Sequence, residues 1–407
     1  MIWVPRRDAD VRFAGPWCRM ITMQDLIHAV RHWCFEVALP LWAGAGCDRV
    51  GGGVFEAVEF SGQPADISYR RTRVMGRQLY VFSHASLLGW GPGREAADHV
   101  YRFMVDKAWL GAERGWARRV AATGALLDPT PDLYDYAFVL FGLSWYARAS
   151  GDPGVWIHVE RTLDALDHLL RHPDGVGFWH EVPAAGPRQQ NPHMHLLEAA
   201  LAGLAAHSGP HPRLEGLARH LVLLFRHHLF DPRSGTLGEF FADDWSRLSG
   251  TAAEVVEPGH MFEWAWILAQ AQKQLDLDLG PEIAALIDGA EAHGVDPATG
   301  RTLLQVTPAG LPIDRGTRTW PNTERIKGWL GASEALGRDA GPAVGQSLRL
   351  LFQTHLATAV PGLWVDAFDA EGRPLSANAP ASSLYHLFLA FAEVLRLEEH
   401  LTDRAGG

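Results

Sequence analysis

Six segments of the chain would be apolar around almost their whole circumference if they were helical. A helix with one apolar face packs on a core from one side, whereas a helix that is apolar all round is buried on every side. The six segments recur at intervals of 57 to 69 residues, the length of a helical hairpin with its loop. We expect six buried inner helices, in RQLYVFSHASLLG from Arg77, LYDYAFVLFGLSW from Leu133, NPHMHLLEAALAGL from Asn191, HMFEWAWILAQA from His260, TERIKGWLGASEAL from Thr323 and SLYHLFLAFAEVL from Ser383.

Six amphipathic segments alternate with these apolar ones and carry charged residues on one face. We place them at residues 23–39, 94–108, 155–170, 213–229, 281–292 and 343–355. Twelve helices that alternate between outer and inner positions bury all their apolar faces if six hairpins close into a ring. The predicted fold class is therefore all-α, an (α/α)6 barrel of six helical hairpins.

Longer loops rich in glycine, proline and aromatic residues precede most of the inner helices. Inner helices are parallel in such a ring, so their N-termini and these loops should meet at one end. We interpret the fragments GVGFWHEV at 175–182 and GLWVDAFD at 362–369 as short β-hairpins over this end. Residues 23–407 should form a single domain, and residues 1–22 an N-terminal extension.

The formal net charge of −11 disfavours nucleic acid and an anionic membrane surface as partners. The only cysteines, Cys18, Cys34 and Cys47, do not form the even set that a disulfide framework needs. The start of the chain has no apolar signal segment, and no stretch is long and apolar enough to span a membrane. We therefore predict a cytoplasmic protein, and the sequence leaves a monomer and a homodimer open.

The stretch EPGHMFEWAW at 257–266 contains a candidate catalytic pair. His260 and Glu263 are three residues apart, so they share one face at the first turn of a helix. An imidazole that a carboxylate orients at a helix N-terminus is suited to act as a general base. An N-terminal capping pair is the alternative interpretation. The recurrence of similar helix starts along the chain favours the catalytic one.

If the inner N-termini converge, one pocket collects side chains from all six hairpins. Asn191 and His195 are four residues apart and share a helix face. Aromatic residues could hold the apolar face of a sugar ring, and the candidates are Trp42, Trp179, Trp320 and Trp364. The expected pocket residues are Arg77, Tyr134, Asn191, His195, His260, Glu263, Trp320, Glu324 and His386.

These motifs are similar to those of the N-acylglucosamine 2-epimerase superfamily, especially its aldose–ketose isomerases that act on mannose and their sulfosugar-isomerase relatives. The resemblance covers about residues 23–400 and rests on RQLYVFSHA, DLYDYAF, NPHMHLLEA, EPGHMFEW, TWPNTE and SSLYHL, in this order. By this resemblance, His260 and His386 are the catalytic histidines, Glu263 is the carboxylate beside His260, and Arg77 steadies an enediolate oxygen.

The resemblance also implies substrate-binding residues. Asn191 and His195 match an asparagine and a histidine that bind near the ring oxygen and C1 of a sugar. Trp320 and Glu324 lie on a motif that carries pocket groups in relatives. Tyr134 and Trp42 complete the expected substrate-binding set.

The implied function is a metal-independent aldose–ketose isomerase that acts on a monosaccharide without a cofactor. D-mannose to D-fructose is the expected reaction, with D-lyxose to D-xylulose as a close relative. A proton moves from C2 to C1 through a cis-enediolate; histidine titrates near neutrality, and arginine stabilises the oxyanion. The sequence leaves open whether His260 or His386 is the base.

Three other functions stay open at this stage. A sugar 2-epimerase, of the N-acylglucosamine or cellobiose type, would need proton access to both faces of C2. A glycoside hydrolase would need two carboxylates astride the bond, for which Glu263 and Glu324 are candidates. A sugar-binding protein would not depend on His260 for turnover.

Several polar residues also have structural interpretations. Arg77 could pair with a buried carboxylate, and Tyr134 and Asp135 could cap a helix. We expect His193 to face away from His195, and His84 to be a buried hydrogen-bonded histidine.

The sequence also bears on metal ions and anionic substrates. A metal at His193 and His195, or at His260 and Glu263, is disfavoured because ligand pairs on helices usually lie four residues apart. A phosphate or sulfonate contact through the loop arginines Arg247, Arg315 and Arg318 stays open.

Overall fold

The computed structural model describes residues 22–248, 250 and 254–403. The predicted extension at 1–22 therefore lies outside the described residues apart from Thr22, and Cys18 lies outside them as well. Thr22 caps the first helix, because its hydroxyl accepts the Asp25 N–H at 3.1 Å while the Asp25 carboxylate accepts the Thr22 N–H at 3.0 Å.

The described residues are mostly helical, as the sequence predicts. Short π-helical turns at Trp33–Ala38, Leu166–Leu170 and Phe225–Leu229 extend or join helices on the outside. The helices are α1 (Met23–His32), α2 (Leu39–Gly44), α3 (Thr72–Leu87), α4 (Gly93–Ala108), α5 (Leu133–Ser150), α6 (Val155–Ala165), α7 (Gln190–Ala206), α8 (Pro212–Leu224), α9 (Pro258–Leu275), α10 (Gly280–Gly294), α11 (Thr319–Leu336), α12 (Gly341–Gln353), α13 (Leu384–Arg396) and α14 (Glu398–Asp403).

The apolar helices α3, α5, α7, α9, α11 and α13 contact one another in this order, and α13 contacts α3. Their contacts therefore form a closed cycle. The amphipathic helices pack outside it: α4 on α3, α6 on α5, α8 on α7, α10 on α9 and α12 on α11. Helix α1 packs on the last inner helix, α13. This contact connects the N-terminal and C-terminal parts of the described chain.

Glycines allow the tightest approach between inner helices. A Cβ atom at Gly76 of α3 would lie 2.3 Å from the carbonyl oxygen of Phe138 in α5. A Cβ at Gly142 of α5 would lie 2.5 Å from the carbonyl oxygen of Gly76. Both distances are shorter than any real contact, so larger residues at these positions would push α3 and α5 apart.

Two inner helices begin four or five residues earlier than the sequence predicts. Helix α3 begins at Thr72 instead of Arg77, and α11 begins at Thr319 instead of Thr323. A glycine within a helical pattern weakens the helix signal, and Gly76 lies just before the predicted start of α3. Arg77 consequently lies in the second turn of its helix.

Thirteen short strands lie in the loops of the described chain. They are β1 (Ala57–Glu59), β2 (Tyr69–Arg71), β3 (Arg119–Ala121), β4 (Leu126–Asp128), β5 (Arg188–Gln189), β6 (Phe230–Asp231), β7 (Thr236–Leu237), β8 (Phe240–Phe241), β9 (Gln305–Val306), β10 (Pro312–Asp314), β11 (Thr317–Arg318), β12 (Ala367–Phe368) and β13 (Asn378–Pro380).

All the strand pairs are antiparallel, but only three of them are local hairpins: β3–β4, β6–β7 and β9–β10. The pairs β1–β13, β2–β3, β5–β8 and β11–β12 join loops that are distant in sequence. Each of the two fragments predicted as hairpins forms one arm of a local antiparallel pairing, Phe178 with Arg171 and Phe368 with Pro374. Each also pairs with a distant loop, Glu181 with Asp132 and β12 with β11. These pairings tie neighbouring loops together.

In the described part of the chain, each helix is too short or too polar to cross a bilayer.

Candidate active site

A cavity of about 360 Å³ opens where the inner helices begin. Eight of the residues predicted to share a pocket line it: Arg77, Tyr134, Asn191, His195, His260, Glu263, Trp320 and His386. The structure adds Glu257, Leu304, Gln305, Asp314, Arg318, Ser382 and Ser383. Most of the added residues lie in or next to loops, where no periodic pattern indicates which way a side chain faces.

Two predicted substrate-binding residues do not line the cavity. Trp42 is buried in the core, where its ring stacks on that of Trp364 at 4.9 Å and its N–H donates to the Gly362 carbonyl at 3.1 Å. Glu324 is fully buried beneath the cavity and binds His386. Trp179 packs on His172 and is also absent from the lining. Of the four tryptophans proposed as pocket walls, only Trp320 is one.

His260 lies between two carboxylates that belong to the mouth loops. Its Nδ1–H donates to Glu239 Oε2 at 2.9 Å, and Nδ1 lies 3.4 Å from Glu257 Oε2. The sequence pairs His260 with Glu263, but the hydrogen-bonded partner is Glu239. Burial alone would lower the pKa of His260, yet the charges of Glu239 and Glu257 outweigh it and raise the pKa to about 10. His260 is therefore an imidazolium at neutral pH.

Glu239 is held in place by further hydrogen bonds. It lies between β7 and β8, and β8 pairs with β5 immediately before α7. Gln190 donates from Nε2 to Glu239 Oε2 at 2.9 Å, and Trp264 donates from Nε1 to Gln190 Oε1 at 2.6 Å. A chain of hydrogen bonds thus runs from Trp264 of α9 back to His260 of the same helix.

His386 has the opposite surroundings. Its Nδ1–H donates to Glu324 Oε1 at 2.7 Å, which leaves Nε2 for the cavity. Burial, together with the charges of Arg77 and Lys327, lowers the pKa of His386 well below its ordinary value. The ring of Trp320 lies between the two histidines, 4.9 Å from His260 and 5.9 Å from His386. One cavity therefore holds one cationic and one neutral imidazole.

Beneath the cavity, Lys327 is enclosed by carboxylates. Its Nζ lies 2.7 Å from Glu324 Oε2 and 3.6 Å from Glu263 Oε1. Burial would lower the pKa of Lys327, but Glu324, Glu263 and Glu198 outweigh it and raise the pKa. The hydroxyl of Tyr385 donates to Glu198 Oε1 at 2.6 Å. The sequence pattern indicates neither the burial of Lys327 nor the role of Glu198.

Arg77 is a cation without a carboxylate partner among the described residues. Its Nη2 donates to the Tyr134 hydroxyl at 2.7 Å and its Nη1 to the Ser382 carbonyl at 3.1 Å, while Nε has no hydrogen-bond partner there. The guanidinium lies 4.1 Å from the centre of the Phe138 ring. The buried carboxylate of Asp135 binds Arg73 instead. The charge of Arg77 is thus available to a substrate oxygen.

Two side chains from α7 supply polar atoms to the cavity. Asn191 Oδ1 is buried and without a hydrogen-bond partner among the described residues. His195 Nδ1–H donates to Glu198 Oε2 at 3.0 Å, so Nε2 is the ring nitrogen left for other contacts. Glu263 Oε1 is likewise buried and without a hydrogen-bond partner in the described chain, although Lys327 Nζ lies 3.6 Å from it. A sugar hydroxyl could satisfy Asn191 and Glu263.

The histidine pair His193 and His195, which the sequence disfavours as a metal site, does not form a chelate. His193 faces away from His195, since its Nδ1–H donates to the Gln189 carbonyl at 2.8 Å and its Nε2 accepts the Phe178 N–H at 3.0 Å. Three other groups of one histidine and two glutamates bring ligand-type atoms within 4.8 Å of one another. In each group an imidazole or Lys327 already supplies a donor to the carboxylates, so we assign no metal ligand.

The three mouth arginines differ in position. Arg318 lines the cavity, but its Nη2 donates to Asp366 Oδ2 at 2.7 Å. Arg247 and Arg315 are exposed and do not line the cavity.

The sequence pattern of the N-acylglucosamine 2-epimerase (GlcNAc 2-epimerase) family matches residues 53–390. A mannose-6-phosphate isomerase of Rhizobium meliloti (strain 1021) is 32% identical over 370 residues, which are 89% of this chain and 95% of that protein. A D-mannose isomerase of Thermobifida fusca is 26% identical over 373 residues, 83% of this chain and 87% of that protein.

Solved structures show the same fold. The structure of cellobiose 2-epimerase from Bacillus thermoamylovorans B4167 superimposes with a TM-score of 0.82 at 19% identity, covering 92% of this chain and 99% of the other. A structure of D-mannose isomerase gives a TM-score of 0.78 at 20% identity, covering 92% and 97%.

Proposed function

Because the chain belongs to the N-acylglucosamine 2-epimerase family and is therefore an enzyme of the isomerase class, we propose that it is an aldose–ketose isomerase built on an (α/α)6 barrel. The proposed reaction converts D-mannose to D-fructose, and D-lyxose to D-xylulose by the same steps. The observation that carries the proposal is that His260, bound to Glu239, and His386, bound to Glu324, line one cavity beside Arg77, which has no carboxylate partner among the described residues. Relatives named for mannose isomerisation support it.

The geometry assigns a role to each group. His260 donates its proton to the ring oxygen and takes back the proton that leaves the C1 hydroxyl, so the hemiacetal opens to the aldehyde and His260 is an imidazolium again. His386 then removes the C2 proton with its free Nε2; the C2–H electron pair forms the C1=C2 bond, and the carbonyl oxygen on C1 becomes anionic. Arg77 stabilises that oxyanion. His386 returns the proton to C1 while the proton of the C2 hydroxyl moves to the C1 oxygen, so the C2 carbonyl forms and the enzyme ends as it began.

The cavity favours a neutral monosaccharide. Its volume of about 360 Å³ is at the lower end of the roughly 300–1,000 Å³ typical of small-molecule sites. Glu257, Glu263 and Asp314 line it, against Arg77, Arg318 and the protonated His260. Since Arg318 is already paired with Asp366, a phosphate dianion would meet more negative than positive charge. We therefore propose an unphosphorylated substrate, although one relative is named for a sugar phosphate.

A 2-epimerase is the second candidate, because both His260 and His386 line the cavity and cellobiose 2-epimerase shares the fold. A glycoside hydrolase is disfavoured by the carboxylates. Oxygens of Glu263 and Glu324 lie within 4.8 Å of each other, and Glu324 does not line the cavity, whereas hydrolases hold their two carboxyls astride the bond.

A panel of aldoses in deuterated water with excess chelator, followed by NMR, tests the proposal. The panel contains D-mannose, D-lyxose, N-acetylmannosamine, cellobiose and mannose 6-phosphate. Fructose from mannose, formed in the presence of chelator, supports a metal-independent isomerase that needs no cofactor. An epimeric aldose labelled at C2, without ketose, identifies an epimerase, and an unchanged panel contradicts both.

Two variants control this experiment. His386→Asn should cut turnover by about a hundredfold or more, because it removes the proposed base. His168→Ala removes a histidine whose side chain is 63% exposed and should leave turnover unchanged.

A further inference from the structure

His260 and His386 are bound by different numbers of carboxylates, and this difference affects which product the enzyme forms. We infer that Glu239 and Glu257 keep His260 as a fixed proton donor, so that His386 is the only base and the enediolate goes to the ketose and not to the epimer. This inference rests on the proposed function and adds two positioning residues that determine product type.

The contacts of His260 support the first part. Its Nδ1 is 2.9 Å from Glu239 Oε2 and 3.4 Å from Glu257 Oε2, and its ring packs against Trp320. Glu263, one turn further along α9, adds a weaker negative field. His260 is therefore surrounded by negative charge from the β7–β8 loop, from the start of α9 and from α9 itself.

The charges that face His386 have the opposite sign. Arg77 of α3, Lys327 of α11, His195 of α7 and Arg318 all disfavour a second positive charge there. The one hydrogen-bonded carboxylate, Glu324, is shared with Lys327 at 2.7 Å. His386 thus remains neutral until it removes a proton from the substrate.

Epimerisation with two histidines requires the protons to exchange places. His386 would keep the proton from C2, and His260 would donate its own proton to the opposite face of C2. His386 would then be an imidazolium beside Arg77 and Lys327, and His260 would be a neutral imidazole between Glu239 and Glu257. Leaving a buried carboxylate without its partner is costly. Isomerisation avoids this state, because His386 returns the same proton to C1.

Each carboxylate has a neutral replacement of the same shape. Glu239→Gln can still accept from Gln190, and Glu257→Gln can still contact Gln305, whose Nε2 lies 3.3 Å from Glu257 Oε1. The matched control is Glu371→Gln, a mouth-loop glutamate that is 66% exposed and pairs with Arg373.

The experiment measures the initial rates of glucose and fructose formation from D-mannose for the wild type, Glu239→Gln, Glu257→Gln, the double variant and Glu371→Gln. We expect the ratio of glucose to fructose to rise at least about tenfold in the double variant, because each unit of pKa difference lost is a factor of ten. Glu371→Gln should leave the ratio unchanged. An unchanged ratio in a folded, active double variant overturns the inference.

A second measurement does not depend on turnover. NMR titration of histidine-labelled protein should show His260 protonated at pH 8 in the wild type and neutral in the double variant. If the wild type makes no ketose but the titration gives this result, the proposed function fails while the positioning role stands. If His260 is neutral at pH 8 in the wild type, the inference fails whatever the product.

Discussion

Lys327 Nζ lies 2.7 Å from Glu324 Oε2 at the centre of the inner helices, and both side chains are inaccessible to solvent. The two residues are three apart on α11, and the carboxylate of Glu324 also binds Nδ1 of His386. Lys327 Nζ is also the nearest positive charge to Glu263, 3.6 Å from its Oε1. A single buried cation therefore connects the charge balance of the core with the orientation of the proposed base.

Replacing Lys327 should destabilise the protein strongly. Lys327→Met would leave buried carboxylates without their cation, and breaking a buried ion pair in this way costs about 3–5 kcal/mol. Urea unfolding measures the loss. Lys273→Met, on an exposed part of α9, is the control and should change stability by less than about 0.5 kcal/mol. Equal stability of the two variants would show that Lys327 does not compensate the carboxylates.

The sequence predicted the helices better than the charges between them. Apolar side chains repeat with the period of a helix, so the six inner segments stand out and their N-termini bring Arg77, Asn191, His260 and His386 to one cavity. Lys327 was not predicted, because a Glu and a Lys three residues apart on a helix usually form an exposed ion pair. Burial of that pair depends on neighbours that are distant in sequence.

Glu239 was not predicted for a different reason. It is 21 residues before His260, in a loop whose position depends on the pairing of the two-residue strands β5 and β8. Strands this short have no detectable alternation of polar and apolar residues. The carboxylate that sequence spacing offers to His260 is Glu263, which instead lies beside Lys327.

The rate of isomerisation should be independent of pH over a wide range. The reaction needs His386 neutral and His260 protonated; the pKa of His386 lies well below its ordinary value, and that of His260 is about 10. The rate, measured as kcat/KM for D-mannose, should therefore stay constant through neutrality and fall as the pH rises towards 10, where His260 loses its proton. A loss of rate centred near pH 7 on the alkaline side would contradict this assignment.

Stability should decrease as the solution becomes acidic. Burial lowers the pKa of His84 and His193 to about 3 and that of His355 to about 4. Between those values and about 6.5, each histidine is protonated in the unfolded chain but neutral in the folded one. The free energy of unfolding therefore decreases as the pH is lowered, by up to about 1.4 kcal/mol per pH unit for each histidine.

One histidine isolates this effect from the carboxylates. His84 is bound through Nδ1 to the Tyr80 hydroxyl at 3.0 Å and stacks on Trp145. His84→Gln should reduce the slope of unfolding free energy against pH by the contribution of one histidine. Urea unfolding between pH 7 and pH 5 measures this slope. An identical slope in variant and wild type would mean that His84 is protonated in the folded state.

Trp42 and Trp320 should respond differently to the same substitution. Trp42→Phe removes the hydrogen bond to the Gly362 carbonyl and the stack on Trp364, so we expect a loss of about 1–3 kcal/mol in stability without a change in KM. Trp320→Phe shortens the ring between His260 and His386, so it should raise KM for the sugar while it changes stability by less than about 1 kcal/mol. Urea unfolding and initial-rate kinetics on both variants separate the two effects. A raised KM in Trp42→Phe together with an unchanged KM in Trp320→Phe would contradict this assignment. Trp42 would then be a wall of the pocket, as its sequence position suggests, and the sugar would not bind against Trp320.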